Sequence, residues 1–193
     1  MAIEIKGNWK KGYALDKHTI SSEYLGKNEF GHDHYKTKRT IIGELVYQLK
    51  YKNDSSVVQK LVNEVKKCVS GIDKFDFIIP IPPSDTSRPK QPVQLVCNAI
   101  SNEFNVPILS TALFKEKTTK ELKNIAEKEE RIKELKNVIK ISDIDKLRGK
   151  KILLIDDLYR SGATLLVATD LLYKKGDVKT VCVLTLTKTR SSQ

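Results

Sequence analysis

From Thr40 onward, the apolar positions fall into two alternating kinds of run. Ile41, Ile42, Leu45, Val46 and Leu49 recur at three- and four-residue spacing, which predicts an amphipathic helix ending near Tyr51. Asp54-Ser55-Ser56 offers an N-cap for a second helix, with Val57, Val58, Leu61, Val62 and Val65 on one side, stopping before Gly71. Phe75-Asp76-Phe77-Ile78-Ile79 is a short buried-strand run closed by Pro80, Pro82 and Pro83. Residues 93–103 read as a helix with Leu95, Val96, Ala99 and Ile100 inward, and residues 108–114 as a strand. The clearest strand is Lys151-Ile152-Leu153-Leu154-Ile155, after the turn-like Arg148-Gly149-Lys150. A helix over 164–174, ended by Lys175-Gly176, and a strand over 178–186 complete the series.

Strands alternating with helices at this spacing predict an α/β fold, a mainly parallel sheet with helices on both faces. Such sheets bind ligands at the carboxyl ends of their strands, which directs attention to residues 80–88 and 156–164. The first 38 residues differ from the rest. They are polar, dotted with Trp9, Tyr13, Tyr24, Phe30 and Tyr35, and interrupted by Gly7, Gly12, Gly26 and Gly31. We expect an N-terminal flap or extension over 1–38, then one domain over 39–193. The most charged stretch, 116–136, carries a weak stripe of Leu122, Ile125, Ile132 and Leu135, suiting a surface helix or a loop that orders over a ligand.

A chain of 193 residues can bury one core, and no apolar run is long enough to span a bilayer. The start, Met1-Ala2-Ile3-Glu4-Ile5-Lys6, lacks the pattern of a secretory signal, so a cytoplasmic location without membrane association is expected. Cys68, Cys97 and Cys182 are odd in number and widely spaced, which predicts buried free thiols. The net charge of +11 comes from lysines spread along the chain and interleaved with acids. It reads equally as a solvated surface or as a field attracting an anionic substrate, with weak nucleic-acid contact behind both. Nothing in the pattern decides between a monomer and a homo-oligomer.

The chemistry concentrates after the 151–155 strand. Asp156 and Asp157 are delivered to the open edge of the sheet, where adjacent acids are costly unless hydroxyls or a cation meet them. The chain then turns through Ser161-Gly162-Ala163-Thr164 into a helix. Gly162 permits a tight turn and the close approach of a ligand. Helix-start amides favour an anion such as phosphate, to which Arg160 adds charge and Ser161 and Thr164 add hydroxyls. Hydroxyl acceptors beside a phosphate cradle match the polarity of a ribose 5-phosphate. Two other readings compete: a phosphoacceptor pair as in receiver domains, and a turn with solvated acids and a capping Thr164.

Residues 150–164, KKILLIDDLYRSGAT, resemble the phosphoribosyl diphosphate signature of type I phosphoribosyltransferases. GELVYQLKYK at 43–52 is similar to the early helix of the ComF-like branch, and FIIPIP at 77–82 to the strand before its diphosphate loop. VCVLTLT at 181–187 also fits. The resemblance implies that Asp156 and Asp157 are catalytic, holding the ribose hydroxyls directly or through Mg²⁺ as metal ligands. It implies that Arg160, Ser161, Gly162, Ala163 and Thr164 bind the 5-phosphate. Pro82, Pro83, Ser84 and Asp85 would lie at the diphosphate loop, and residues 116–131 would form a mobile hood. The implied reaction is Mg²⁺-dependent transfer of the 5-phosphoribosyl group from phosphoribosyl diphosphate to a base or related nucleophile. The alternative is a non-catalytic regulatory protein that senses phosphoribosyl diphosphate, with nucleic-acid contact as a further option.

The sequence also departs from the family pattern. Arg160-Ser161-Gly162 stands where Thr-Thr-Gly is frequent, the cysteine-rich zinc module that begins many ComF-like proteins is absent, and the stretch after Pro83 keeps only Arg88 and Lys90 of an arginine-rich run. Arg88 and Arg131 are candidates to contact the substrate, Arg131 otherwise pairing with Glu127 or Glu134. His32-Asp33-His34 lacks a third ligand nearby for a metal. Asp16, His18 and Thr19 read as a local turn network, with a substrate-facing flap as the other reading.

Overall fold

A strand that is apolar on both faces needs cover on both faces, and the fold places the 151–155 run inside a sheet. The computed structural model describes residues 2–116 and 128–190. In chain order its elements are β1 (Ile3–Glu4), β2 (Lys11–Lys17), β3 (Thr19–Lys27), β4 (Asp33–Arg39), α1 (Ile41–Tyr51), α2 (Val58–Cys68), β5 (Phe77–Pro80), α3 (Pro92–Phe104), β6 (Leu113–Lys115), α4 (Lys128–Val138), β7 (Ile139–Ile141), α5 (Ile144–Leu147), β8 (Lys151–Tyr159), α6 (Ala163–Lys174) and β9 (Thr180–Lys188). The main sheet has the order β1-β2-β9-β8-β5. Its β2–β9, β9–β8 and β8–β5 pairs are parallel, and only β1 runs antiparallel, against β2. The α/β architecture is the one the alternation predicts.

The two-residue period of β8 divides the core into two layers. Leu153 and Ile155 pack with Leu184 and Leu186 of β9 against Val46 and Leu49 of α1, Leu61 and Val65 of α2, and Val96 and Ile100 of α3. Ile152 and Leu154 pack on the opposite side with Val181, Val183, Trp9 and α6, whose Leu165, Ala168 and Leu172 are buried. Burying each Leu, Ile or Val side chain contributes about 1.5–3 kcal/mol, so both layers stabilise the central strands.

Three features differ from the expected elements. First, β8 continues to Tyr159 and β9 to Lys188, because the ladder runs on through Asp156↔Thr185, Leu158↔Thr187 and Tyr159↔Lys188. The two acids therefore sit in a strand and not in a loop. Second, the 108–114 run is divided. Ile108 bridges Ile78 beside β5, whereas Leu113–Lys115 pairs antiparallel with β7. Third, the segment expected as a flap or extension is split. Its β1 and β2 are strands of the main sheet, and its β3 and β4 form a separate two-stranded ribbon. Backbone pairing with the edge of β9 captures β2, which a reading of side-chain pattern alone does not register.

The start of α1 is fastened to the end of β2. Thr40 Oγ1 donates to the Lys17 carbonyl at 2.6 Å and accepts from the Gly43 amide at 3.0 Å, capping the helix. Gly43 lets the helix backbone lie on the His18 carbonyl, since a Cβ there would sit 2.0 Å from that oxygen. Gly43→Ala is expected to destabilise the chain by about 1–3 kcal/mol in urea unfolding, through overpacking against backbone. A freely placed helix glycine would give the opposite sign, a gain of about 0.5–1 kcal/mol from helix propensity.

Candidate active site

Asp156 and Asp157 are consecutive in a strand, so their side chains leave the sheet on opposite faces. Asp157 points to the α1 layer, where Lys50 Nζ donates to its Oδ2. That pair is largely shielded, with Asp157 14% and Lys50 25% exposed. The Asp157 carbonyl accepts from Thr187 Oγ1 at 3.2 Å, and the same hydroxyl lies 3.1 Å from His18 Nδ1. Burial first, and the nearby Arg39 second, hold the His18 pKa below its ordinary value.

Asp156 points the other way, into a cavity of about 60 Å³ that it lines with Arg131 of α4 and the 158–165 segment. Its Oδ1 accepts the Asp157 amide at 2.8 Å. Burial, reinforced by the adjacent Asp157, raises its pKa from the ordinary 3.8 to about 7, against the pull of Lys115 and Lys50.

The far wall of the cavity is the turn into α6. Gly162 holds the left-handed conformation at φ +75° and serves as the N-cap. Ser161 Oγ accepts from the Ala163 amide at 3.4 Å, and the Leu166 amide reaches the Gly162 carbonyl at 2.9 Å. First-turn amides have no acceptor within a helix, and here they open on the cavity that Arg160, Ser161, Gly162, Ala163 and Thr164 line. A carboxyl at one end and amides with arginines at the other can hold a molecule bearing hydroxyls and an anion.

The second loop, after β5, is organised by its own residues. Asp85 accepts from the Ser87 amide at 3.1 Å, the Ser87 hydroxyl at 2.6 Å and Arg88 Nε at 3.2 Å. These bonds, the Ser87 hydroxyl foremost, hold the Asp85 carboxyl below its usual range. Arg88 turns toward α1, donating to the Lys50 carbonyl at 3.3 Å and lying over the Tyr51 ring. Pro82 is buried, whereas Pro83 and Ser84 are exposed. Ser84 Oγ accepts from Lys115 Nζ at 3.0 Å. Burial lowers the Lys115 pKa, and the attraction of Asp156 opposes the shift.

The structure thus brings Asp156, the 160–164 turn and Arg131 to one cavity, and joins Ser84 to the site through Lys115. It gives Asp157 to Lys50, and it commits Asp85 and Arg88 to the shape of their loop. Residues 117–127 of the expected hood lie outside the described residues. Among the described residues no group of three or more His, Cys, Asp or Glu side chains is arranged to hold a metal, at His32-Asp33-His34 or elsewhere. All three cysteines are free, Cys97 buried and the other two half-buried. Lys50 and Lys115 escape sequence reasoning because their partners lie far along the chain. The only local signal was a cation in the last turn of the first helix.

A model of the phosphoribosyl transferase domain matches residues 95–193, which include Lys115, Arg131 and the whole Asp156–Thr164 segment. The chain belongs to this family. It is a phosphoribosyltransferase, and its transfer chemistry is that of a glycosyltransferase. Among solved structures, the adenine phosphoribosyltransferase of Leishmania tarentolae is similar at 13% identity, covering 97% of this chain and 94% of that one, with TM-score 0.49. The enzyme of Trypanosoma brucei, solved with AMP, pyrophosphate and ribose-5-phosphate, is 14% identical over 97% of this chain and 87% of that one, with TM-score 0.48. That of Saccharomyces cerevisiae is 11% identical over 88% and 85%, with TM-score 0.48. No curated protein matches the chain. Among the described residues of this phosphoribosyltransferase, no helix is long and apolar enough to cross a membrane.

Two outcomes follow from the opposed aspartates. Lys50→Met strands a shielded carboxylate and is expected to cost about 1–3 kcal/mol in urea unfolding. Adding Asp157→Asn should return part of that loss, and purely additive effects would show that the pair does not interact. The second outcome concerns pH without divalent cations. Folded Asp156 keeps its proton to about pH 7 and the unfolded chain loses it near 3.8, so between these values the folded state binds more protons. Stability should therefore fall as pH rises from 5 to 7.5, and fall less in Asp156→Asn. Equal slopes for the two proteins would contradict the assignment.

Proposed function

We propose that this phosphoribosyltransferase is a magnesium-dependent enzyme of the ComF-like branch. It moves the 5-phosphoribosyl group from phosphoribosyl diphosphate to a nitrogen of a base or related nucleophile. The observation that carries the reading is one cavity with Asp156 of β8 and the open first turn of α6 as its walls. The motifs GELVYQLKYK at 43–52 and FIIPIP at 77–82 support the branch. Three free cysteines suit a reducing compartment, and we place the enzyme in the cytoplasm.

In this reading the amides of the α6 start, with Arg160, Ser161 and Thr164, hold the 5-phosphate. Asp156 accepts from the ribose hydroxyls. Lys115, carried to Ser84 by the end of β6, and Arg131 of α4 meet the diphosphate. The anomeric C–O bond to diphosphate breaks, its electron pair leaves with the diphosphate, and the acceptor nitrogen forms the new bond. Catalysis rests on positioning and on charge stabilisation around an oxocarbenium-like state.

Magnesium fits the donors present on one side of the strand. It takes one or two carboxylates together with substrate oxygens and waters, and so needs no cage of protein ligands. Asp156 is an oxygen donor on the cavity wall whose proton a cation would displace. Asp157 already has Lys50 as its cation, so of the two expected metal ligands Asp156 is the one assigned. When bound, the ion would neutralise the departing diphosphate.

The test is thermal-shift titration with phosphoribosyl diphosphate and Mg²⁺, followed by diphosphate release with a panel of bases. The wild type should be stabilised, and Asp156→Asn should lose about tenfold or more in affinity while remaining folded, as expected for a lost charged hydrogen bond. Absence of binding by the wild type would overturn the reading. Binding without release for any base would reassign the protein as a sensor.

A further inference from the structure

The N-terminal turn between β1 and β2 does more than lead into the sheet. It carries Trp9, the single tryptophan of the chain, which is 7% exposed. The indole lies across two glycines. A Cβ on Gly7 would fall 2.3 Å from its Cη2, and one on Gly12 would fall 2.2 Å from its Nε1. Trp9 Nε1 donates to the Ile5 carbonyl at 3.0 Å, and the Lys10 amide donates to the Val181 carbonyl of β9 at 2.9 Å. The ring is therefore fixed in orientation and fastened to the main sheet.

Two contacts lead from this turn to the two ends of the 160–162 turn. Trp9 meets Tyr159, the last residue of β8, edge to face at 6.5 Å between centroids and 89° between planes. Tyr159 in turn lies so close under Gly162 that a Cβ there would be 2.8 Å from its ring. On the helix side, Asn8 Nδ2 donates to the carbonyl of Leu166, in the first turn of α6, at 3.0 Å. One short segment thus braces the strand that enters the turn and the helix that leaves it.

We infer that Trp9 and Asn8 are positioning residues for the 5-phosphate subsite, setting the spacing between Asp156 and the first-turn amides of α6 through Tyr159 and Leu166. This rests on the reading of that turn as the phosphate site. Neither residue lines the cavity, so neither touches the ligand. Their effect is on the geometry in which it is held, where displacements of about 1 Å can cost two orders of magnitude in rate. The effect is also local. Ser84 and Lys115 belong to the other end of the site and owe nothing to this turn.

The experiment uses the full chain and calorimetric titration with two ligands separately, ribose 5-phosphate and magnesium diphosphate. Trp9→Ala is expected to weaken ribose 5-phosphate about tenfold and Asn8→Ala about threefold, with diphosphate affinity within about twofold of wild type. Trp9→Phe, which keeps an aromatic edge for Tyr159, should restore most of the affinity. In the wild type, Trp9 emission should change with ribose 5-phosphate and saturate with the calorimetric affinity. Unchanged ribose 5-phosphate affinity in both variants, or equal loss of both ligands, would overturn the inference. Should Trp9→Ala fail to fold, the exposed Asn8→Ala decides alone. A wild type that binds no ribose 5-phosphate would remove the reading of the site itself, and the inference with it.

Discussion

The structure turns on the ladder between β8 and β9 running four residues past Ile155, the last residue of the continuous apolar run in β8. Were the strand to stop at Ile155, Asp156 and Asp157 would share a loop and repel one another in the same solvent. Because pairing continues to Tyr159, the strand's alternation sends the two carboxylates to opposite faces, and each meets a different layer. α1 answers Asp157 with Lys50, and this fixes what the end of α1 must be. The Gly43 contact on His18, the Thr40 cap and the Arg88 bond to the Lys50 carbonyl all bear on where that ammonium lies.

The division also settles how a doubly acidic strand end is kept in a partly buried place. A buried carboxylate without a partner is strongly disfavoured, and the cost is met differently on the two faces. Asp157 has a resident cation. Asp156 has none bonded to it and responds by holding a proton to about pH 7, with Lys115 near enough to attract but engaged with Ser84. One carboxyl thus faces the cavity without an ion-pair partner among the described residues, while the other is balanced by Lys50. The overall charge of +11 is spread along the chain, whereas Lys50, Lys115 and Arg131 are the cations placed around the two aspartates.

Much of this was legible in the sequence where the physics is local. The helix at 41–51, the strand beginning at Lys151 and the turn at 161–164 follow from periodicity, an apolar run and a glycine before a helix start, and they appear where expected. What could not be read depends on partners distant in sequence. The extension of β8 needs the ladder with residues 185–188, and the capture of β2 needs the edge of β9. The Lys50–Asp157 pair spans 107 positions. The aromatic residues of the first 38 looked alike in the sequence. The fold separates them into a buried Trp9 within the main sheet's environment and an exposed, mutually tilted Tyr24–Tyr35 pair on the ribbon.

That separation explains why the N-terminal segment bears on the site at all. Since β2 joins the sheet parallel to β9 and β8, the turn preceding it sits at the opposite end of the strands from the carboxylates. From there Asn8 bonds to Leu166 in the first turn of α6, and Trp9 lies along the α6 layer to meet Tyr159. Two glycines clear the path of the indole, and Tyr159 returns from the far end of β8 to receive it. The turn of Arg160, Ser161 and a left-handed Gly162 rests its buried glycine on the Tyr159 ring. Preorganised amides stabilise an anion only to the extent that they need not rearrange to bind it. In the proposed reading that rigidity comes through the Tyr159 ring beneath Gly162 and the Trp9 ring that packs on it.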